Sequence, residues 1–358
     1  MKRFILIVFV VFNSCYNPIE NKKPNVIIVM TDDQGFGDLG INKNPNIITP
    51  NIDKFANKSI QFNNFFVSPV CAPTRASLMT GRYSLRTGIR DTYNGGAIMS
   101  NNETTIAEIL KEANYATGIF GKWHLGDNYP FRPSEQGFDE SIIHLAGGIG
   151  QVGDFTNYYK GNTSYFDPIL WKNNKQNQYK GYCSDIFAEN AIEFIEKNKN
   201  NSFFCYLSFN APHTPLQVPE KYYNMYKDLD PELGFKGESL ALKMSKKDKE
   251  DARRIYGMVT NIDDNFGKVL NKLTELGIEE DTIIIFMTDN GPQQFRYNSN
   301  MKGLKGTVYN GGTRVPFYIK YAEKFKNSKV ISRMSAHIDV LPTILELCNL
   351  KIPNDRKI

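Results

Sequence analysis

Three short apolar runs, each breaking off into polar residues, restrict what this chain can fold into. Asn25-Val26-Ile27-Ile28-Val29-Met30 runs into Thr31-Asp32-Asp33, Phe203-Phe204-Cys205-Tyr206-Leu207-Ser208-Phe209 into Asn210-Ala211-Pro212-His213, and Thr282-Ile283-Ile284-Ile285-Phe286-Met287 into Thr288-Asp289-Asn290-Gly291. Short β-rich runs without apolar/polar alternation mark strands covered on both faces, the situation of a parallel sheet. Helical periodicities lie between them: Ile106, Ile109 and Leu110; Ile186, Phe187, Phe194 and Ile195; and a long one through Ile255, Val259, Ile262, Phe266, Val269 and Leu273, ending near Gly277. Strands alternating with helices predict an α/β fold, a mostly parallel sheet with helices on both faces. Open sheets of this kind place ligands beyond the carboxyl ends of their strands, so the polar residues after each run are the first candidates for chemistry.

With 358 residues, 41% of them hydrophobic, the chain can bury one large core. Its formal net charge of +5, from 43 basic and 38 acidic residues, is spread without a dominant block and argues against a nucleic-acid partner. Met-Lys-Arg followed by the apolar run Phe4 to Phe12 reads as a signal peptide over residues 1–14. That run is too short to span a bilayer, and Cys15 just behind it is similar to the lipid-modified cysteine of bacterial lipoproteins. The expected organisation is a leader, a tether over 15–23 after lipidated Cys15, and a folded domain over 24–358. The protein is then secreted across the inner membrane and periplasmic or lipid-anchored at the cell envelope, with the membrane a partner only through that anchor. Residues 236–254, rich in Lys, Asp and Glu, read as a solvated loop before the long helix. The cysteines show no CxxC spacing, so neither a zinc knuckle nor a redox motif is present. Cys205 and Cys348 sit in apolar runs and read as small buried hydrophobes; Cys183 has no assigned role.

The sharpest chemical signal is Cys71-Ala72-Pro73-Thr74-Arg75-Ala76-Ser77-Leu78-Met79-Thr80-Gly81-Arg82. Proline fits the first turn of a helix, which puts Cys71 just before a helix N-terminus, where free N–H groups favour an anionic oxygen. Arg75 follows one turn later, on the same side. Asp32, Asp33, Asp289 and Asn290 are all hard oxygen ligands, suited to Ca²⁺ or Mg²⁺ and not to zinc. Taken alone, Asp-Asp after a strand is more often a turn or helix cap, and Thr-Asp-Asn-Gly an ordinary turn. Lys122 and His124 are two apart, so on an extended segment both face one side. His213 stands between Pro212 and Pro215, as a fixed loop histidine or as an acid/base group.

Together these segments resemble the formylglycine-dependent, type I sulfatases of the alkaline phosphatase superfamily, bacterial arylsulfatases and glycan sulfatases among them. The C-x-P-x-R segment, with Ser77, Leu78, Thr80, Gly81 and Arg82 behind it, is similar to the signature that directs a cysteine to oxidation by a formylglycine-generating maturation enzyme. The resemblance implies a sulfuric ester hydrolase whose nucleophile is the gem-diol of formylglycine made from Cys71. It implies one calcium ion held by Asp32, Asp33, Asp289, Asn290 and the modified Cys71. It assigns Arg75 to the charge developing on the diol, and Lys122 to the sulfate and nucleophile. His124 takes the proton whose removal releases sulfate, and His213 is the general acid on the leaving alcohol. Lys305, in Leu304-Lys305-Gly306-Thr307, matches a second sulfate-binding lysine; Lys302 is a nearby decoy, and Asn310 stands where relatives often carry Glu.

The implied substrate is a sulfated carbohydrate, with a simple aryl sulfate as its artificial substitute. His144 opens a stretch holding Tyr158, Tyr159, Tyr165, Phe166 and Trp171, aromatics that either stack on sugar rings or, more commonly, pack an irregular loop. His337 reads as a residue leading into a helix. The resemblance covers residues 24 to about 350, and its members continue into a small C-terminal antiparallel subdomain, which is expected to be largely missing here. Two other readings stand beside the sulfatase: a phosphoester hydrolase of the same superfamily, and a non-catalytic lipoprotein that binds sulfated glycans. C-x-P-x-R favours the sulfatase over the first.

Overall fold

The computed structural model of the chain describes residues 23–93, 95–233 and 243–352. The expected signal peptide, Cys15 and almost all of the tether lie outside the described residues, as do residues 353–358. In chain order the strands are β1 (Asn25–Thr31), β2 (Ile60–Phe62), β3 (Phe65–Phe66), β4 (Ala116–Lys122), β5 (Glu140–His144), β6 (Ile169–Lys172), β7 (Lys175–Gln178), β8 (Phe203–Ser208), β9 (Thr282–Thr288), β10 (Phe317–Lys320), β11 (Lys329–Ile331) and β12 (Ser335–Ala336). The helices are α1 (Pro50–Asn57), α2 (Cys71–Thr80), α3 (Ile106–Glu112), α4 (Cys183–Lys197), α5 (Glu220–Tyr223), α6 (Lys246–Glu275), α7 (Asn310–Thr313) and α8 (Val340–Leu347).

All three apolar runs become strands at the centre of one sheet, ordered β11-β2-β10-β9-β1-β8-β4-β5-β6-β7. The five strands β9-β1-β8-β4-β5 are parallel to one another, and antiparallel pairs occur only toward the flanks. Ile27 sits in register with Cys205 on one side and Ile284 on the other, and every residue of β1, β8 and β9 is buried. Alternation within β1 feeds two cores: Val26, Ile28 and Met30 pack with residues of α2, α3 and α8, while Ile27 and Val29 pack with residues of α1, α4 and α6. The fold is thus the expected mostly parallel sheet with helices on both faces. Among the described residues no helix is long and apolar enough to cross a membrane.

The solvated-loop reading of residues 236–254 is corrected in its second half, because α6 already begins at Lys246. Ser245 caps it: its hydroxyl accepts from the Asp248 N–H at 3.1 Å, and the Asp248 carboxylate accepts from the Ser245 N–H at 3.0 Å. The charged composition belongs to the water-facing first turns of a long amphipathic helix. Its apolar stripe, Met258, Ile262, Phe266, Val269 and Leu273, is docked on the sheet, and each such side chain contributes roughly 1.5–3 kcal/mol.

Candidate active site

The carboxyl ends of β1, β9, β4 and β8 meet the N-terminus of α2 at one point, and the predicted residues gather there. Cys71 is the first helical residue of α2 and not, as expected, the residue before it; Val70 is the N-cap and offers no side-chain hydrogen bond. The first N–H groups of this wholly buried helix are therefore left for an anion. Asp32 and Asp33 follow β1 directly, and Asp289 and Asn290 follow β9, its parallel neighbour. Carboxylate oxygens of Asp32 and Asp289 and the Cys71 sulfur lie within 4.8 Å of one another, and so do carboxylate oxygens of Asp32 and Asp33 and a ring nitrogen of His213.

Each carboxylate in the cluster has a cation in close contact, and Arg75 Nη2 also lies 3.9 Å from Asp32 Oδ2. Lys122 Nζ lies 2.5 Å from Asp32, Arg75 Nη2 2.7 Å from Asp289, and Lys305 Nζ 2.6 Å from Asp33. Arg75 thus reaches across to Asp289 and, through Nη1, to Ser208 Oγ at 2.6 Å. Lys302, the decoy, sits over the Tyr309 ring, 4.3 Å from its centroid.

The two histidines flank the cluster with defined tautomers. His124 Nε2 donates to the Thr92 carbonyl at 2.8 Å, which turns the Nδ1 lone pair toward Cys71 Sγ at 3.4 Å. His213 Nδ1 donates to the Thr214 carbonyl at 2.7 Å, and Nε2 faces Asp33 Oδ2 at 3.7 Å. The geometric route to His124 differs from the expected one: the residue is not extended but left-handed, with φ 59°, and its ring lies between Cys71 Sγ and the Thr92 carbonyl. Ahead of it Gly121 has φ 127°, and a Cβ there would lie 1.7 Å from the Ser208 carbonyl oxygen, so glycine is needed where β4 meets β8.

Burial pushes both histidines down to about 3, helped at His124 by Lys122 and opposed at His213 by Asp33. Burial also pushes Asp289 up to about 6, with Asp32 adding to the rise and Arg75 opposing it, and raises Asp32. Burial alone would raise Asp33 too, but Lys305 and His213 hold it below the ordinary carboxylate range. Buried oxygens without partners complete the pattern: Asp32 Oδ1, Asp33 Oδ2 and Asn290 Oδ1. Three orphaned oxygens, one from each of three predicted ligands, are what a hard divalent cation would satisfy, so the donor set fits calcium.

Sequence reading missed the supports. Arg296 and Asp38 form an ion pair with both side chains fully buried, and Arg296 Nη2 also donates to the Asp33 carbonyl at 3.0 Å. Tyr165, taken with the other aromatics as a sugar platform or loop packing, is fully buried and donates to the carbonyls of Asn210 and His213 at 3.0 and 2.6 Å. Gly147 and Gly148 touch the rings of His124 and His213, where a Cβ would come within 2.8 and 3.0 Å; the Gly-Gly pair was the available signal. His144 is buried with both ring nitrogens unpartnered, and burial, with Lys122 and Arg75, lowers its pKa well below the ordinary value. Trp171 stacks against Arg132. Cys183, Cys205 and Cys348 are buried free thiols.

Residues 24–350 match the profile of the family described as Sulfatase. The chain is 30% identical over 367 residues to N-acetylgalactosamine-6-sulfatase of Mus musculus, covering 94% of this chain and 64% of that protein. It is 31% identical over 352 residues to an ulvan-active sulfatase of Formosa agariphila, covering 94% of this chain and 63% of that protein. The chain therefore spans somewhat under two thirds of the length of these relatives. The crystal structure of Ps i-CgsB in complex with k-i-k-neocarrahexaose superposes with a TM-score of 0.79 at 31% identity, over 93% of this chain and 74% of that one.

Proposed function

The chain belongs to the sulfatase family, and from that premise we propose that it hydrolyses sulfate esters of carbohydrates with a nucleophile made from Cys71. The observation that carries the reading is the position of Cys71: first residue of a buried helix, beside His124, facing two carboxylates and within a ring of three cations. A sulfate ester is a tetrahedral monoanion, and helix N–H groups with two ammonium groups make a receptor for it.

Oxidation of Cys71 to formylglycine by a separate maturation enzyme would supply a hydrated aldehyde as nucleophile, and calcium on Asp32, Asp33, Asp289 and Asn290 would polarise it and screen the sulfate. Everything else falls to the chain's own residues. Arg75 fixes Asp289 and opposes the rise that burial imposes on its carboxyl. Lys122 and Lys305, now on Asp32 and Asp33, are the groups that a divalent cation would compete with for those carboxylates, leaving their charge for the sulfate oxygens. His124 Nδ1 faces the Cys71 side chain and is placed to accept a proton there. His213, with Nδ1 committed to Thr214, has Nε2 left to carry a proton to the leaving alcohol. The relatives, an N-acetylgalactosamine-6-sulfatase, an ulvan-active sulfatase and Ps i-CgsB in complex with k-i-k-neocarrahexaose, support a sulfated carbohydrate as substrate class.

The test is turnover of nitrophenyl sulfate against nitrophenyl phosphate by the protein co-expressed with a formylglycine-generating enzyme, with the mass of the Cys71 peptide measured on the same sample. Sulfate turnover that tracks formylglycine content and vanishes in Cys71→Ala is expected. Phosphate turnover at the higher rate, or full activity in Cys71→Ala, would sink the proposal.

A further inference from the structure

His124 belongs to two spaces at once. Its Nδ1 faces Cys71, and its ring also borders a cavity of about 330 Å³. The walls come from three loops, one after α2, one after β4 and one after β5, through Thr92, Asp127, Asn128, Phe131 and Gly147. Small-molecule pockets run from roughly 300 to 1,000 Å³, so this one is of a size for a single ring and not for a chain of them. Phe131 supplies an apolar surface of the kind that takes the C–H face of a sugar.

Charge is the feature that discriminates. Three cations converge on the sulfate end of the site, yet among the described residues no lysine or arginine lines the cavity, and its one carboxylate is Asp127. Asp127 is half-buried, and among the described residues nothing donates a hydrogen bond to its carboxylate. Burial raises its pKa, Arg132 opposes the rise and Asp154 adds to it, as expected of a carboxylate short of donors. Arg132 is held outside the cavity, its Nε on the Asp127 carbonyl at 2.7 Å and its guanidinium over Trp171.

We infer that this cavity receives the sugar ring bearing the scissile sulfate, and that Asp127 selects a ring otherwise uncharged, a neutral hexose monosulfate, over a uronic acid or a ring with a second sulfate. The inference rests on the sulfatase reading of the neighbouring cluster. A hydroxyl donates to the unpartnered carboxylate of Asp127, whereas a second anion meets that carboxylate in a partly desolvated space whose lining, among the described residues, supplies no cation, the guanidinium of Arg132 being turned to Trp171.

Binding tests this without turnover. The Cys71→Ala protein, loaded with calcium, would be titrated by calorimetry with galactose monosulfates at positions 2, 3 and 4 and with the position-matched galacturonic acid monosulfates. At the best position the hexose should bind at least tenfold more tightly. Asp127→Asn should shrink that ratio at least fivefold, and Asp127→Lys should reverse it, with melting curves showing each variant folded. Equal affinity for the two sugars, an unchanged ratio in Asp127→Asn, or no binding of either sugar would overturn the inference. Turnover is a separate readout: formylglycine-bearing protein that fails on nitrophenyl sulfate refutes the catalytic reading, while the binding ratio judges the cavity.

Discussion

Asp33 holds a left-handed backbone, φ 61°, a conformation uncommon outside glycine and typical of functional turns. What keeps it there is close at hand: its carbonyl accepts from Arg296 Nη2 at 3.0 Å, while Lys305 and Asn290 hold its carboxylate. Arg296 in turn is fixed by Asp38, to which Nε donates at 2.8 Å, and Asp38 accepts from the Gly35 N–H at 2.7 Å. Arginine is needed for this because one planar group must serve the carboxylate and the carbonyl together; lysine keeps the charge but not the fork. Arg296→Lys should therefore weaken calcium binding at least tenfold by calorimetry, and Arg296→Met, which strands Asp38, should cost about 3–5 kcal/mol of stability as well. Lys302→Ala, a cation of the same loop that stacks on Tyr309, should change calcium affinity little. Unaltered calcium affinity in a folded Arg296→Lys protein would show that Asp33 does not depend on the clamp.

Elements were legible where one local pattern decided them. The runs into Asp32, His213 and Asp289 had to be doubly covered strands, because no amphipathic reading fits Ile283-Ile284-Ile285-Phe286, and the sheet places all three side by side or nearly so. The segment from Cys71 to Arg82 was legible for a different reason, a resemblance that spans the whole helix. What stayed hidden depends on contacts that sequence spacing does not encode: Arg296 is 258 positions from Asp38, and the left-handed turn at His124 has no glycine to announce it. The start of α6 was hidden by composition, since Lys246 to Glu250 are charged, although Ser245 and Asp248 carry capping-box spacing. That cap is testable. Ser245→Ala removes the acceptor for the Asp248 N–H and should destabilise the protein by about 1 kcal/mol in denaturant unfolding, with Ser245→Asp close to wild type. No loss in Ser245→Ala would mean that docking of Ile255, Val259 and Ile262 alone holds the helix.

At the scale of the whole molecule, the candidate metal ligands come from opposite ends of the sequence. Asp32 and Asp33 follow the first strand, Cys71 opens α2, and Asp289 and Asn290 follow β9, so the set exists only when the centre of the sheet is assembled. A ligand that binds the folded chain and not the unfolded one stabilises the whole fold by mass action, about 2.7 kcal/mol at a hundredfold excess over its dissociation constant. Calcium should therefore raise the midpoint of the unfolding transition, EDTA should lower it, and Asp289→Asn should abolish the difference. The gain should also depend on pH, with a sign fixed by Asp289. Burial raises that carboxyl to about 6 from 3.8, so above pH 6 the metal-free fold carries an unfavourable buried charge that calcium relieves. As the pH falls through 6, the metal-free fold takes up a proton that the unfolded chain does not bind until near 3.8, and so gains stability relative to it. That same proton competes with the metal, so both effects shrink the advantage of calcium on acidification. Melting temperatures with calcium and with EDTA, measured from pH 8 to pH 5, should converge below pH 6; a constant gap across that range would exclude Asp289 as a ligand.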